Sequence, residues 1–302
     1  MRTMLSLVVA AAALLGAVGT GRAGDATGAF APYEDLLEVL APLTWHLGDD
    51  LYRFPPPHDP TGHDLFQLTL ARLEGWEKRY PSIFRDVTTF SRAEAYERIG
   101  EYQKATDAYR QVADSTDSPL AGAARRHASR TATFAAAAAL PEGDDGELDA
   151  RLQALRKKLD AWGKIVEQQA GTPYQSMALV EEERLERLTS GLVVDHRQLL
   201  DKGNQTAERA LRFLIQKHAE SKNLPEHVLR LGDLYADLAR EYLRTHERPL
   251  VFKEDEFLAR ADRALDVYHK VATWDGVREK PEGQGRFTAF EAYKANVLAR
   301  YR

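Results

Sequence analysis

Two short segments of the chain carry the residue types that metal binding or acid–base catalysis requires. The run from residue 58 to residue 64 contains His58, Asp59, His63 and Asp64, and imidazoles together with carboxylates can ligate zinc or another divalent ion. No third histidine follows at helical spacing, and the prolines and the glycine of this run are typical of a linker. We therefore expect a loop without a metal site, and we expect no cofactor.

The second segment is Glu181-Glu182-Glu183. Paired carboxylates hydrolyse glycosidic bonds when they converge on one bond, but three adjacent glutamates point in different directions around a helix. A charge run of this kind is usually a solvated helix face. The remaining histidines are scattered, mostly next to charged residues, and are predicted to lie at the surface: His46, His127, His196, His218, His227, His246 and His269.

The other common catalytic patterns are absent from the sequence. The chain contains no cysteine, which removes every thiol mechanism and also the cysteine that anchors a bacterial lipoprotein. Neither a Gly-Xaa-Ser-Xaa-Gly elbow nor a glycine-rich phosphate loop is present. The sequence therefore predicts a protein that is not an enzyme, with no catalytic residues.

The first 23 residues have the layout of a secretory signal peptide. Arg2 supplies a positive start, residues 5–18 form a short apolar run, and Gly21-Arg22-Ala23 offers small residues at the cleavage positions. The apolar run is short for a membrane-spanning helix, although an uncleaved anchor is the alternative. We expect cleavage near Ala23, a periplasmic protein, and no stable membrane insertion after cleavage.

The composition and the net charge of the chain indicate which classes of partner it can bind. Hydrophobic residues make up 44% and charged residues 29% of the chain, which are values of a globular protein. The net charge is −5, and it becomes −7 without the signal peptide because that segment contains two arginines and no acid. An acidic chain argues against nucleic acid or an anionic membrane as the main partner.

Apolar residues recur at spacings of three and four along most of the chain, which predicts helices, and no stretch shows the alternation of a strand. Proline-rich and glycine-rich breaks divide the chain into a signal peptide (1–23), an N-terminal helical region (24–140), a long helical hairpin (141–202) and a C-terminal region (203–302). A helix pair packed into the same array is the alternative to the hairpin. The hairpin prediction rests on a heptad-like set: Leu148, Leu152, Leu155, Leu159, Trp162 and Val166.

One helix junction shows an order of residues that recurs later in the chain. Gly100 ends a helix, and the next helix carries aromatic, small and apolar residues on one face: Tyr102, Ala105, Tyr109 and Val112. Similar sets follow further on: Ala207, Ala210 and Leu214; Val228, Leu231, Gly232 and Tyr235; Ala264, Tyr268 and Val271. Small residues let two helices approach closely, and the aromatic fills the groove beside them.

The sets at 207–214 and 228–235 together form one segment, and the three resulting segments resemble tetratricopeptide repeats (TPR), helix–turn–helix units of about 34 residues. The departures are Arg92, where a large apolar residue is usual, and an insertion of about twenty residues before the last set, estimated against that repeat length. The resemblance implies an all-α fold in which antiparallel helix pairs stack as a short TPR-like solenoid, with the longer helical hairpin in the middle. The chain is also similar to exported repeat proteins of Gram-negative bacteria that work in envelope complexes.

The resemblance further implies protein or peptide binding in a groove lined by the leading helix of each pair. The groove-facing positions would be Phe90, Glu94, Glu97, Leu229, Asp233, Ala236, Asp237 and Arg240. The expected partners are therefore other proteins or peptides of the bacterial cell envelope, and the protein would act as a scaffold. An exported enzyme or accessory factor acting on cell-wall glycan, and a self-assembling structural component, are the alternatives. The oligomeric state stays open.

The aromatic residues near the first proline break have two interpretations. They are Trp45, Tyr52, Phe54, Trp76 and Tyr80. Such residues can form a patch that stacks carbohydrate or peptide, or they can cover the end of a helical array that has no neighbour. The second interpretation is favoured.

Overall fold

The computed structural model describes residues 32–55, 59, 61–144, 146–248 and 250–301. In these ranges the regular structure consists of eleven α-helices and one short 3-10 helix, with no strand. The predicted all-α fold class is confirmed. The predicted signal peptide, its cleavage position at Ala23 and His58 lie outside the described residues.

The α-helices are α1 (Pro32–His46), α2 (Asp64–Arg79), α3 (Arg85–Arg98), α4 (Tyr102–Ala113), α5 (Ala121–Ala138), α6 (Leu148–Gln168), α7 (Gln175–Asp195), α8 (Gly203–Lys217), α9 (Leu224–Thr245), α10 (Glu254–Ala272) and α11 (Lys280–Tyr301), and the 3-10 helix is Arg197–Leu199.

The chain forms two compact units, unit 1 (Met1–Glu182) and unit 2 (Glu183–Arg302), which divide within α7. In unit 1 each helix from α1 to α6 packs against the next in chain order, and in unit 2 the same holds from α8 to α11. Short connections make such neighbours antiparallel, so adjacent pairs build the solenoid-like array that the repeats predict. The regions that the sequence analysis separates at residues 140 and 202 were placed at proline-rich and glycine-rich breaks, and this division stays a prediction.

The first repeat-like segment forms the centre of unit 1. Tyr102, Ala105, Tyr109 and Val112 are all buried, two of them with no exposed surface. Gly100 has a φ of +81° and ends the preceding helix. Glycine takes this left-handed conformation without steric cost, so the turn between α3 and α4 is tight and the two helices lie against each other.

In unit 2, a glycine likewise allows two helices to lie close together. Gly232 of α9 lies against the ring of Tyr268 of α10, and a Cβ atom at this glycine would be 2.6 Å from Cε1 of the tyrosine. Ala264 and Val271 on the same face of α10 are fully buried. The pattern of small and aromatic residues in the sequence therefore reports a real close approach of two helices.

The central helices differ from the predicted heptad seam. The buried positions of α6 are Leu155, Lys158, Trp162 and Ile165, while the other predicted seam residues are only partly buried. Trp162 packs edge-on against Phe134 of α5 with ring centroids 5.5 Å apart, so α6 belongs to the stack. It also lies beside α7, because a Cβ atom at Gly163 would be 3.3 Å from the Glu182 carboxylate.

Two other local predictions were wrong in whole or in part. The composition of residues 277–285 predicts a turn-rich link, but α11 already begins at Lys280, because Pro281 in the first turn of a helix loses no hydrogen bond. Of the aromatic residues that were expected to cover the end of the array, Tyr52 and Trp76 are buried and Tyr80 is partly buried against the core. Trp45 and Phe54 are 82% and 70% exposed, so the prediction fails for these two.

Candidate functional site

In unit 1, the residues predicted to line the groove are covered by other side chains of the same unit. Phe90, Glu94 and Glu97 of α3 are buried, with 5%, 7% and 3% of their surface exposed. The ring of Phe90 contacts the rings of Tyr109 and His127 at centroid distances of 5.2 and 5.3 Å. The structure thus brings the three predicted residues together, but it places them beneath other side chains of unit 1.

Glu97 is the centre of a hydrogen-bond network. The guanidinium of Arg130, on α5, donates to both carboxylate oxygens at 2.7–3.1 Å. The hydroxyls of Tyr109 and Thr131 donate to them at 3.0 and 3.1 Å. Burial is the largest single influence and would raise the pKa of Glu97, but the charges of Arg130, His127 and Arg98 and the hydrogen bond from Arg130 together outweigh it and hold the pKa below its ordinary value. Glu97 is therefore an ionised, fully partnered carboxylate.

Glu94 lies one turn earlier on the same helix, and its pKa is shifted in the opposite direction. Within the described part of the chain its carboxyl accepts no hydrogen bond, and burial together with the negative charge of Glu97 raises its pKa to about 8. Arg98 and Arg130 oppose this shift without cancelling it. At neutral pH Glu94 is thus a protonated carboxyl, one turn from an ionised one.

Tyr174 covers this cluster. Its ring centroid lies 3.4 Å from the Cζ atom of Arg130, and burial raises its pKa to about 12. His127 also faces the ring, at a centroid distance of 6.2 Å, and burial and then Arg130 lower its pKa to about 4. We call Glu94, Glu97, His127, Arg130 and Tyr174 the Glu94–Arg130 cluster.

In unit 2 the predicted groove positions are split between core and surface. Leu229 and Ala236 are buried, while Asp233, Asp237 and Arg240 reach the surface of α9. Buried apolar side chains at this spacing hold α9 on its neighbours, so only the charged residues of the predicted set remain available to a partner.

The charged positions of α9 are held in place by α10 and α11. The carboxylate of Asp233 accepts a hydrogen bond of 2.7 Å from the Tyr268 hydroxyl and pairs with Arg286. The Asp233 bond and burial together raise the pKa of Tyr268, burial contributing most. Arg286 also pairs with Glu282 at 2.6 Å. These contacts fix the side chains where α9 and α11 meet.

Arg240 is fixed in a different way. Its guanidinium lies 5.5 Å from the ring centroid of Phe290 and 5.7 Å from that of Tyr293, and the two rings stack 5.4 Å apart. Asp237 pairs with it at 2.9 Å, and the side chains of both residues are 49% exposed. We call Asp233, Asp237, Arg240, Phe290 and Tyr293 the α9–α11 face.

Two predictions about surface residues were wrong. Glu182 and Glu183 are buried, as are His218 and His227. Glu183 lies 2.6 Å from Nε2 of His227 and Glu186 lies 3.1 Å from Nε2 of His218, so these pairs connect α7 to the end of α8 and to α9.

His127 is buried too. The apolar pattern of α7 gives no signal for the buried Glu183, because helical geometry places it on the side opposite to Ala178, Leu185 and Leu192. The sequence gives no signal for the histidine partners of Glu183 and Glu186 either.

The structure describes no group of three or more potential ligands that could hold a metal ion. Near the first proline break, Asp59 accepts hydrogen bonds from the backbone N–H groups of Thr61 and Asp64 at 3.0 and 2.8 Å, so its oxygens stabilise the loop that precedes α2.

Among the described helices, none is both long enough and apolar enough to span a bilayer.

The sequence matches no protein-family model and no curated protein. The resemblance to tetratricopeptide repeats therefore continues to rest on the residues that carry it. What the structure adds is the packing of those residues, in particular the tight α3–α4 turn at Gly100 and the contact between Gly232 and Tyr268.

Proposed function

We propose that this protein is a non-enzymatic scaffold or adaptor of the periplasm that binds other envelope proteins or peptides through TPR-like helical grooves. The observation that carries the proposal is the α9–α11 face, on which Asp233, Asp237, Arg240 and Tyr293 are at least partly exposed and the ring of Phe290 is buried beneath Arg240. Arginine and aromatic residues contribute a large share of the affinity at protein interfaces.

The side chains of this face are already ordered. Arg240 is held by two rings and an aspartate, and Asp233 by a tyrosine and an arginine. Ordering a long side chain costs about 0.5–1.5 kcal/mol when a complex forms. A partner that meets preformed side chains avoids part of this cost, so the geometry favours recognition by complementary shape and charge.

Photo-crosslinking in intact cells of the source organism tests this proposal. A photoreactive amino acid replaces Asp237 on the face, and in a matched control it replaces Gln216, an exposed residue of α8 in the same unit. We expect discrete adducts at position 237 that weaken when Arg240→Ala is added, and none at position 216. Equal adducts at both positions, or no adduct at position 237, would contradict the proposal.

The periplasmic location has its own test. The layout of the first 23 residues supports export, so N-terminal sequencing of the protein from a periplasmic fraction should begin at residue 24. A mature chain that begins at Met1 would show that the segment is not removed.

One observation favours a second candidate, an enzyme or accessory factor acting on cell-wall glycan. Glu94 and Glu97 have pKa values pushed in opposite directions, as in pairs of catalytic carboxyls. Against it, both oxygens of Glu97 are already hydrogen-bonded. Incubation with purified peptidoglycan separates the two candidates: release of soluble fragments that disappears in Glu94→Gln would favour the enzyme.

A further inference from the structure

The ring of Tyr174 is held on Arg130 by stacking alone. The hydrogen bonds of the Arg130 guanidinium go to Glu97 and His127, and the Tyr174 hydroxyl makes no hydrogen bond within the described residues. A ring that is held by a cation–π contact without directed hydrogen bonds is displaced more easily than one that has both.

Two polar groups of α3 that act electrostatically on Tyr174 make no hydrogen bond in the part of the chain that the structure describes. They are the carboxyl of Glu94 and the fully buried Nη1 atom of Arg98, four residues apart. Glu94 is 7% and Arg98 6% exposed, and both act electrostatically on Tyr174. Because nearly all buried polar groups in proteins are hydrogen-bonded, this pair indicates that Tyr174 does not complement the surface completely.

The backbone of Tyr174 cannot satisfy them. Its carbonyl already accepts the N–H of Ala178 at 3.2 Å, at the start of α7. The preceding turn is fixed by Gly171, with a φ of +72°, and by a hydrogen bond from Thr172 to the carbonyl of Gln169 at 2.7 Å. Tyr174 thus contributes an aromatic ring to this surface but no free carbonyl.

We propose that the surface of α3 and α5 around Arg130 is a binding site for an aromatic side chain of a partner peptide, and that Tyr174 fills this site when the protein is free. The incoming ring stacks on Arg130 in place of Tyr174. A backbone carbonyl next to it accepts hydrogen bonds from the protonated Glu94 carboxyl and from Arg98, which gives both buried groups a partner. The site rests on the proposed binding of proteins or peptides and adds the chemistry of the segment that is bound.

The first experiment empties the site. The full chain with Tyr174→Ala is titrated with p-cresol, the side chain of tyrosine, and thermal unfolding is followed. A ligand that binds only the folded state stabilises it by RT ln(1 + [L]/Kd), so the unfolding temperature keeps rising with ligand concentration. We expect a rise that follows this relation for Tyr174→Ala and none for the unaltered chain. Tyr96→Ala is the matched control, because Tyr96 lies on α3 in the same unit and, like Tyr174, has a cation over its ring, here Lys104 at 5.7 Å.

A second variant tests the role of Arg130. Tyr174→Ala with Arg130→Lys keeps a positive charge for Glu97 but removes the planar group on which the ring stacks, and it should weaken p-cresol binding at least tenfold. A rise of equal size in all variants, or no rise in Tyr174→Ala, overturns the proposal; the second result would mean that the emptied site collapses like ordinary core.

The third measurement concerns the peptide. The probe is a fluorescent Ser-Gly-Tyr-Gly-Ser peptide, compared with the same peptide carrying serine in place of tyrosine. The tyrosine peptide should bind Tyr174→Ala at least tenfold more tightly than the unaltered chain, because the latter must first expel its own ring. Equal binding of both peptides overturns the proposal. No cellular partner is used, so failure here leaves the crosslinking test at Asp237 unaffected.

Discussion

Replacing Glu94 by glutamine should stabilise unit 1 at neutral and alkaline pH. The pKa of this buried carboxyl is raised from its ordinary value of 4.5 to about 8 by burial and by Glu97. Between these two values the folded protein holds a proton that the unfolded chain releases. Its stability therefore falls as the pH rises through this window and levels off above it.

The size of the effect follows from the shift. Each pKa unit corresponds to about 1.4 kcal/mol, so the loss of stability is about 1 kcal/mol at pH 5, about 3 kcal/mol at pH 7 and about 5 kcal/mol at pH 9. Glutamine has the same shape without the ionisation, and Glu94 has no hydrogen bond among the described residues that the exchange would break. The variant should therefore gain these amounts over the unaltered chain.

Urea unfolding at pH 5, 7 and 9 measures the gain. Tryptophan fluorescence reports mainly on unit 1, which contains three of the four tryptophans. Glu38→Gln, at an exposed position of α1, is the control and should show no pH-dependent difference. If the curves of Glu94→Gln and the unaltered chain stay parallel from pH 5 to pH 9, Glu94 is ionised in the folded protein and the argument from its burial is refuted.

Three further substitutions test the packing. Arg130→Ala leaves Glu97 buried without its counter-ion and should cost about 3–5 kcal/mol in urea unfolding; a cost below about 1 kcal/mol would show that water replaces the arginine. Gly232→Ala places a methyl group against the ring of Tyr268 and should cost about 1–3 kcal/mol, a cost that disappears in a Tyr268→Ala background if the contact is the cause. Gly203→Ala would bring a Cβ atom to 1.6 Å from a backbone oxygen, so α8 should lose its first turn, seen as lower helix content by circular dichroism; unchanged content would contradict this.

The fold was predictable because helical periodicity is a local property of the sequence. The residues at positions 102, 105, 109 and 112 share one helix face at any helical geometry, and all four are buried. The helix end predicted at Gly100 is confirmed by the left-handed conformation of this glycine. The exception at Pro281 shows the limit: proline stops a helix in its interior but is tolerated in its first turn, and the sequence alone did not distinguish the two positions.

The candidate site was predictable only in part. The spacing of Glu94 and Glu97 placed them on one helix face, but their contacts come from α5 and from the turn before α7. Arg130 and Tyr174 lie 33 and 77 residues beyond Glu97 in the chain, and only tertiary packing brings them together. The buried pair of Glu183 and His227, 44 residues apart, was missed for the same reason.

The α9–α11 face and the Glu94–Arg130 cluster differ in their effect on the free energy of unfolding, and this difference bears on function. The charges of the α9–α11 face stay half in water, so their pairs change stability by about 1 kcal/mol at most. The Glu94–Arg130 cluster is buried, and apolar residues of similar volume would serve the core as well or better than a buried ion pair. Glu94 in particular lowers stability at neutral pH without forming a hydrogen bond among the described residues. A buried group that weakens the folded state and forms no hydrogen bond in it is typical of a site that serves binding at a cost in stability. The search for a partner of unit 1 should therefore begin around Glu94, Arg98 and Arg130.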